Sequence, residues 1–540
     1  MGNPNFSKPA DALPEYFPQK MVDLDEEGAT MSDLGPEANE HDVSYRFVPH
    51  LTDALPETVR LLKLAGPIVG ESAILSAQSV ASMIFLGRLG RLEMAGGALA
   101  LTLANICGFS ILMGFGAGLD PILGQAFGAK QYASMGRIMQ RGWALLLLIS
   151  APILLLWWNA EGLLNQLGQH ADVAHQAGVF IRYLIPTLLL MCFRCPFRFY
   201  LKAQGLTLPL LVSHAVPTVL LYLPLNFLFV FKLRWGPFGV AMADFATDVV
   251  ALLLLAAYVR FSRVCEKAWD GFSFRAAFTE WGPIVRLGFP SMLSTCLEWW
   301  AFEVMLLLAG LLPRPDLSVS TMAVLFNVSR LCFFLPKALG AALSIRVSNE
   351  LGANRPARAR LAAHVAMCWA VWSSVLITCV LLATRNAFPL IYGSGSEFVG
   401  LVASVTPVFV VCNFFDMVQL AWAGALRGSA RPTIMAKVNA AAYYVIGIPL
   451  ALLLAFHYRG GLRGLWAGMS AAVIFQTAAM LVLIMRTDWS GEAEKAEKTV
   501  RESDRLVELG SKPNEAEPSE RERLIVTELW QRFELLAQLP

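Results

Sequence analysis

Seven carboxylates stand where carboxylates are costly. Glu71, Asp120, Asp244, Asp248, Glu298, Glu303 and Asp416 fall inside or at the ends of long apolar stretches, and a carboxylate in hydrocarbon must be protonated, paired or hydrated. The segment Cys296-Leu-Glu-Trp-Trp-Ala-Phe-Glu303 carries two of them. Five helical steps turn Glu303 about 140° away from Glu298, so the two acids face different surroundings. Asp416 stands three residues before Gln419 on one helix face, and Asn413 extends that polar patch. A buried carboxyl can hold a proton or a cation in turn, because burial favours its neutral form and a nearby positive charge its ionised form. Proton or cation coupling, with substrate binding, is therefore the chemistry expected of Glu298, Asp416, Glu303, Gln419 and Asn413. The competing reading is structural, an interhelical pair with Arg330 or Lys337. Glu71 reads as snorkelling to an interface and Asp120, before Pro121, as a turn or cap residue. Asp244 and Asp248, at i and i+4, serve either a cavity or a contact between helices.

The elements that position these acids follow from composition. The 540 residues are 56% hydrophobic and 16% charged, with a mean hydropathy of +0.54. Soluble domains run at roughly 45–50% apolar and about 25% charged, which excludes a soluble globular enzyme and a disordered chain. A membrane span takes roughly 20 mostly apolar residues. Runs of that length centre near residues 75, 106, 150, 186, 218, 248, 297, 330, 372, 411, 446 and 475. The fold expected is all-α, a polytopic membrane protein of twelve helices, with Pro290 kinking the seventh. The net charge of +2 hides a basic core between acidic ends: residues 1–60 hold 4 basic and 12 acidic side chains, residues 490–540 hold 8 and 12. With the N-terminus inside, 17 basic residues, Arg198, Lys202 and Arg427 among them, are assigned to cytosolic loops and 8 to outer ones, in agreement with the positive-inside rule. Both tails are then cytosolic. Glu492 to Glu508 reads as a solvated helix, and Ser519 with Glu522 has the spacing of a capping box.

Other chemistries find no support. The nine cysteines form no disulfide pattern, and the one CxxC, Cys192 and Cys195, lies in a span without a second ligand pair. No phosphate-binding, dinucleotide, HExxH or GxSxG motif is present. No cofactor, metal or nucleic acid is expected.

An internal repeat organises the spans. Gly116 to Ala129 aligns without gaps on Gly340 to Ala353, and further Gly, Pro and Leu matches recur at offsets of 223–225. The repeat joins spans 1–6 to spans 7–12, with the same orientation because six is even. Two six-helix lobes of this kind are a plan of secondary transporters, with substrate bound between them. The repeat mate of Glu298 is Leu75, and that of Asp416 falls within Phe193 to Cys195. The acids of the second lobe are therefore not a symmetric feature of the fold.

Several ordered motifs across residues 60–487 resemble the multidrug and toxic compound extrusion (MATE) family, in its eukaryotic branch. They are Arg346-Val-Ser-Asn-Glu-Leu-Gly-Ala353, Cys296 to Glu303, Gly124-Gln-Ala-Phe-Gly-Ala-Lys130, Pro224-Leu-Asn226, Tyr443-Tyr-Val-Ile-Gly-Ile-Pro449 and Gly464-Leu-Trp-Ala-Gly468. Gly87-Arg-Leu-Gly90 and Pro121 depart from the family's pattern. The resemblance implies a V-shaped pair of lobes that exports organic cations, drugs or metabolites in exchange for protons by alternating access. It also implies Glu298 as the essential acid, Asp416 as its partner and Glu303 as the motif's second acid. The alternatives are sodium coupling and a lipid-linked glycan flippase; Arg182, Arg194, Arg330 and Lys337 lining a central cavity would favour the flippase. The expected organisation is an N-terminal tail (1–60), an N-lobe (61–265), a C-lobe (266–489) and a C-terminal tail (490–540). A monomer in the plasma or vacuolar membrane is expected, with a small molecule, protons and the lipid bilayer as its partners.

Overall fold

The computed structural model describes residues 51–262, 271, 273, 277–392 and 395–511. Among these, every long element is a helix, as the uninterrupted apolar runs demand where backbone polar groups must be satisfied within one segment. Ten spans are α1 (Thr52–Leu89), α2 (Leu92–Gly128), α3 (Tyr132–Trp158), α5 (Thr207–Lys232), α6 (Pro237–Ser262), α7 (Gly282–Gly310), α9 (Pro356–Ala383), α10 (Ser396–Gly428), α11 (Pro432–His457) and α12 (Gly461–Met485). Two more are bent pairs: α4 (Ala171–Tyr183 with Ile185–Ala203) and α8 (Pro315–Cys332 with Phe334–Gly352), each bent by 43°. The twelve spans fall where the hydropathy pattern places them. The large bends do not follow Pro290, since α7 runs through it as one helix. The first helix already begins inside the stretch read as an N-terminal tail.

The repeat is written into the backbone. Left-handed residues close equivalent turns in the two halves: Lys130 and Asn354, Gly205 and Ala430, Arg234 and Arg459, Gly236 and Gly461. Four of these eight positions are neither Gly nor Asn but Lys, Ala or Arg, types for which a positive φ is uncommon, so the turn geometry is imposed by the helices it joins. Wide i→i+5 turns also recur, at Thr218–Tyr222 and Phe227–Lys232 in α5 and at Ala440–Gly447 and Leu453–His457 in α11.

The halves meet where repeat-related residues meet each other. Ser344 Oγ donates to Asp120 Oδ2 at 2.6 Å, and these residues are 224 apart, the offset of the repeat. Gly128 lies against the backbone of Asn349, and Gly352 against that of Gln125. A Cβ on either glycine would sit 2.0 or 2.1 Å from a carbonyl oxygen. A contact in which i meets j and the mate of j meets the mate of i is the mark of an internal two-fold. Asp120 is thus a contact between the halves, not a turn residue. Arg346 of the α8 motif donates to Glu57 of α1 at 2.8 and 3.1 Å and pairs with Glu350 at 2.7 Å. Asn349 donates to the carbonyl of Ala203, at the end of α4, at 3.0 Å.

A thirteenth helix, α13 (Trp489–Ser511), follows the last span. It is not simply a solvated tail. Trp489, Ala493, Ala496 and Val500 are buried and pack on α8 and α9, with further contacts to α2 and α3. Its outer face carries the pairs Lys495–Glu492, Lys498–Glu494 and Arg501–Glu497. The capping-box helix expected from Ser519 lies outside the described residues.

Candidate functional site

The acids of α7 and α10 come together in the second half. Asp416 is 3% exposed and Gln419 1% exposed. One helical turn sets them side by side, and Gln419 Nε2 donates to Asp416 Oδ1 at 2.8 Å. The Glu298 carboxyl lies beside Gln419 and within electrostatic reach of Asp416. Among the described residues no ion pair within 4.0 Å holds either acid. Asp416 is buried and Glu298 half-buried, and two carboxylates brought together in this way resist ionising together unless a cation is bound. Such a site takes up a proton or a cation.

Amide side chains from α11 and α12, which sequence reading missed, build the rest. Gln476 Nε2 donates to Gln419 Oε1 at 3.1 Å and to Asn439 Oδ1 at 2.8 Å. Asn439 Nδ2 in turn donates to the carbonyl and the hydroxyl of Ser294 in α7, both at 3.0 Å. The chain of amides therefore runs from α10 through α12 and α11 back to α7. Gln476 Oε1 and Tyr443 Oη are buried with no hydrogen-bond partner among the described residues. Tyr443 lies within electrostatic reach of both acids, on the wide turn of α11. Such turns recur at functional sites because they interrupt the regular helical ladder. The signal available in the sequence was an amide or phenol within an otherwise apolar span, at Asn439, Tyr443 and Gln476.

Two of the five site residues predicted from sequence lie apart from this cluster. Asn413 accepts from Ser329 Oγ of α8 at 2.6 Å and places its amide nitrogen 3.7 Å from Met417 Sδ. Glu303 is half-buried with Arg330 as its charged neighbour, so the 140° turn between Glu298 and Glu303 separates their surroundings as expected.

The first half treats its acids differently. Glu71 does not snorkel: it is buried mid-helix and pairs with Arg198 of α4 at 2.8 Å. Asp248 pairs with Arg194 at 2.6 Å and lies 3.5 Å from His214 Nε2. Glu71, Arg194, Arg198, Ser213 and His214 line a small cavity together with apolar side chains. Asp244 has neutral partners, accepting from Gln78 Nε2 at 3.0 Å and from Ser82 Oγ at 3.3 Å. Tyr222 Oη lies 2.5 Å from the same Ser82 hydroxyl. Arg198, Lys202 and Arg427, counted in sequence as loop charges, lie inside α4 and α10.

Comparison with known proteins follows the same lines. The family model described as MatE matches residues 67–228 and again 290–453, one match in each half of the repeat. Protein DETOXIFICATION 49 of Arabidopsis thaliana is 39% identical over 455 residues, covering 84% of this chain and 90% of that protein. DETOXIFICATION 16 of the same plant is 38% identical, over 86% of this chain and 96% of its own. Among solved structures, the eukaryotic MATE transporter AtDTX14 is 35% identical, with a TM-score of 0.79 over 83% of this chain and all of that one. A Vibrio cholerae MATE transporter in its bent form, 18% identical, shares the fold with a TM-score of 0.70, over 84% and 99% of the two chains.

Proposed function

The chain belongs to the MatE family of membrane transporters, and from that premise we propose that it is a secondary antiporter exporting organic cations or related metabolites in exchange for protons. The observation that carries this reading is the cluster of half-buried Glu298 and buried Asp416, linked to amides and, among the described residues, free of any cation within ion-pair distance. A positively charged substrate and a proton are alternative ligands of such a cluster. Facing outside, proton uptake by Glu298 or Asp416 cancels the negative charge that held the cation and releases it. Facing inside, loss of the proton restores the charge. Binding of one ligand at the expense of the other is what makes exchange obligatory.

Lobes of residues 61–265 and 266–489 would open alternately around this site, with both termini in the cytosol. The contacts at Asp120–Ser344, Gly128–Asn349 and Glu57–Arg346 lie at the ends of α2 and α8 and the start of α1, the cytosolic ends in that orientation. They close the inner side. Of the four cations that would favour the flippase reading, Arg182 lies 3.5 Å from Glu161 and Arg194 is held by Asp248, while Arg330 and Lys337 are exposed and have no ion pair among the described residues; two of the four thus speak against that reading.

Everted vesicles carrying the full chain test the proposal. An imposed pH gradient should drive uptake of tetraethylammonium or another organic cation, and a sodium gradient at constant pH should not. Uptake driven by sodium alone would replace the proton in this scheme, and equal gradient-driven uptake by Glu298→Gln would remove Glu298 from it.

A further inference from the structure

At the end of α12 away from α13, a cavity of about 290 Å³ opens between the α7–α8 connection, α10 and the α11–α12 turn. Arg314, Arg459 and Arg463 line it, with the hydroxyls of Ser318 and Ser404 and several leucine and valine side chains. No carboxylate lines it among the described residues. Arg314 is held by Glu397. Arg459 and Arg463 are exposed and have no ion pair or side-chain hydrogen bond among the described residues. The first turns of α8, which starts at Pro315, and of α12, which starts at Gly461, both belong to the wall. First-turn amides lack partners within their helix and, with the helix dipole, favour an anion.

The turn that carries Arg459 is set by the backbone. Tyr458 N donates to the carbonyl of Leu453 at 3.1 Å and Gly460 N to that of Leu454 at 3.0 Å, and Arg459 has a φ of 55°. The repeat supplies this turn but not the cavity. Arg234 stands 225 residues before Arg459, also in the left-handed region. At the same offset Phe238 replaces Arg463 and Trp235 replaces Gly460. Phe238 packs on Tyr183 at 4.9 Å and on Trp235 at 5.5 Å between ring centroids. The first half thus packs rings where the second half presents a cation.

We infer that this cavity binds the phosphate of an acidic phospholipid, gripped by Arg459 and Arg463. Guanidinium forks match phosphate oxygens in two-pronged contacts, and the amides of the α12 start add donors of the same preference. The volume lies at the low end for small-molecule sites, enough for a headgroup. Tyr458, next to Arg459, and Leu311, next to the lining residue Leu312, are exposed and offer apolar surface to acyl chains at the depth where aromatic side chains meet headgroups. Basic pockets between spans recognise lipid headgroups by this combination of charge and apolar surface. The inference does not depend on the antiport reading.

Thermal unfolding of the purified full-length protein in detergent tests it, with dioctanoyl phosphatidic acid, dioctanoyl phosphatidylcholine and glycerol 3-phosphate as probes. Phosphatidic acid should raise the melting temperature saturably, with at least about tenfold higher affinity than either other probe. Arg459→Gly, which suits the left-handed turn, and Arg463→Gln should each weaken that binding about tenfold or more, while the melting temperature without lipid stays unchanged. Arg234→Gln, in the equivalent turn of the first half, should leave the binding as it is. Equal affinity for phosphatidylcholine would show that the phosphate charge is not recognised, and equal affinity for glycerol 3-phosphate would make a soluble phosphate the ligand. Either result overturns the lipid site, as would undiminished binding in both Arg459→Gly and Arg463→Gln or an equal loss in Arg234→Gln.

Discussion

In the first half, two acids within the spans meet cations: Glu71 with Arg198 and Asp248 with Arg194. In the second half, Glu298 and Asp416 meet amides and each other, and the cations near Glu298, Arg427 and Lys337, stay beyond ion-pair distance. The two halves share one backbone plan, down to the left-handed residues that close their turns, so the contrast is not a difference of fold. A paired buried charge has its partner supplied and fixes the packing of two helices. An unpaired one must obtain its partner from outside, as a proton or a ligand. Asp244, with neutral donors only, is the residue in the first half that departs from this division.

The most direct way to break the comparison is to neutralise one acid on each side. Glu298→Gln or Asp416→Asn should lower pH-gradient-driven transport by at least about a hundredfold, measured as initial rates in everted vesicles at matched protein content. If Glu71→Gln had the same effect while the protein remained folded, the division between paired and unpaired acids would fail. Removing a partner should instead act on stability. Arg198→Gln strands Glu71 and should destabilise the protein by about 3–5 kcal/mol, read as a lower melting temperature in detergent. The double variant with Glu71→Gln should recover most of that loss, and a failure to recover would mean that Arg198 acts through something other than the pair.

Contact between the halves should respond less steeply. Gly352→Val drives a side chain into the Gln125 carbonyl, 2.1 Å from the added Cβ, and should lower the yield of a cross-link between cysteines placed at Gln125 and Asn349 by about tenfold. An unchanged yield would show that the two helices part without cost. Asp244→Asn should reduce transport by about tenfold or less, since its partners are neutral and remain so. A loss as deep as that of Glu298→Gln would make the first half an equal site of coupling. Asn413→Ala should have the smallest effect, about 1 kcal/mol of stability for its bond to Ser329.

Much of this was legible in the residues. Spans announce themselves because about twenty apolar residues have few other uses, and all twelve stand where the runs lie. The repeat was legible because the crowding at Gly128 and Gly352 tolerates no Cβ and so leaves glycines at a fixed offset. The α7 and α10 acids stood out because a carboxylate in an apolar run is conspicuous. Asn439 and Gln476 did not, since a lone amide in a span is compatible with many structural roles. The reading of Arg198, Lys202 and Arg427 as loop charges failed for a related reason. Near the end of a helix, sequence does not tell a charge that leaves for water from one that turns inward.

By itself the sequence determined the helices, their number, their repeat and the two acids that most need a partner, because hydrophobicity and desolvation act on single residues and on short periods. Only the tertiary structure decided which charges are satisfied. Pairing of Glu71 with Arg198 spans 127 residues and the contact of Asp120 with Ser344 spans 224. Whether a buried charge is a structural pin or a working site depends on groups that reach it from other helices. No local pattern carries that information.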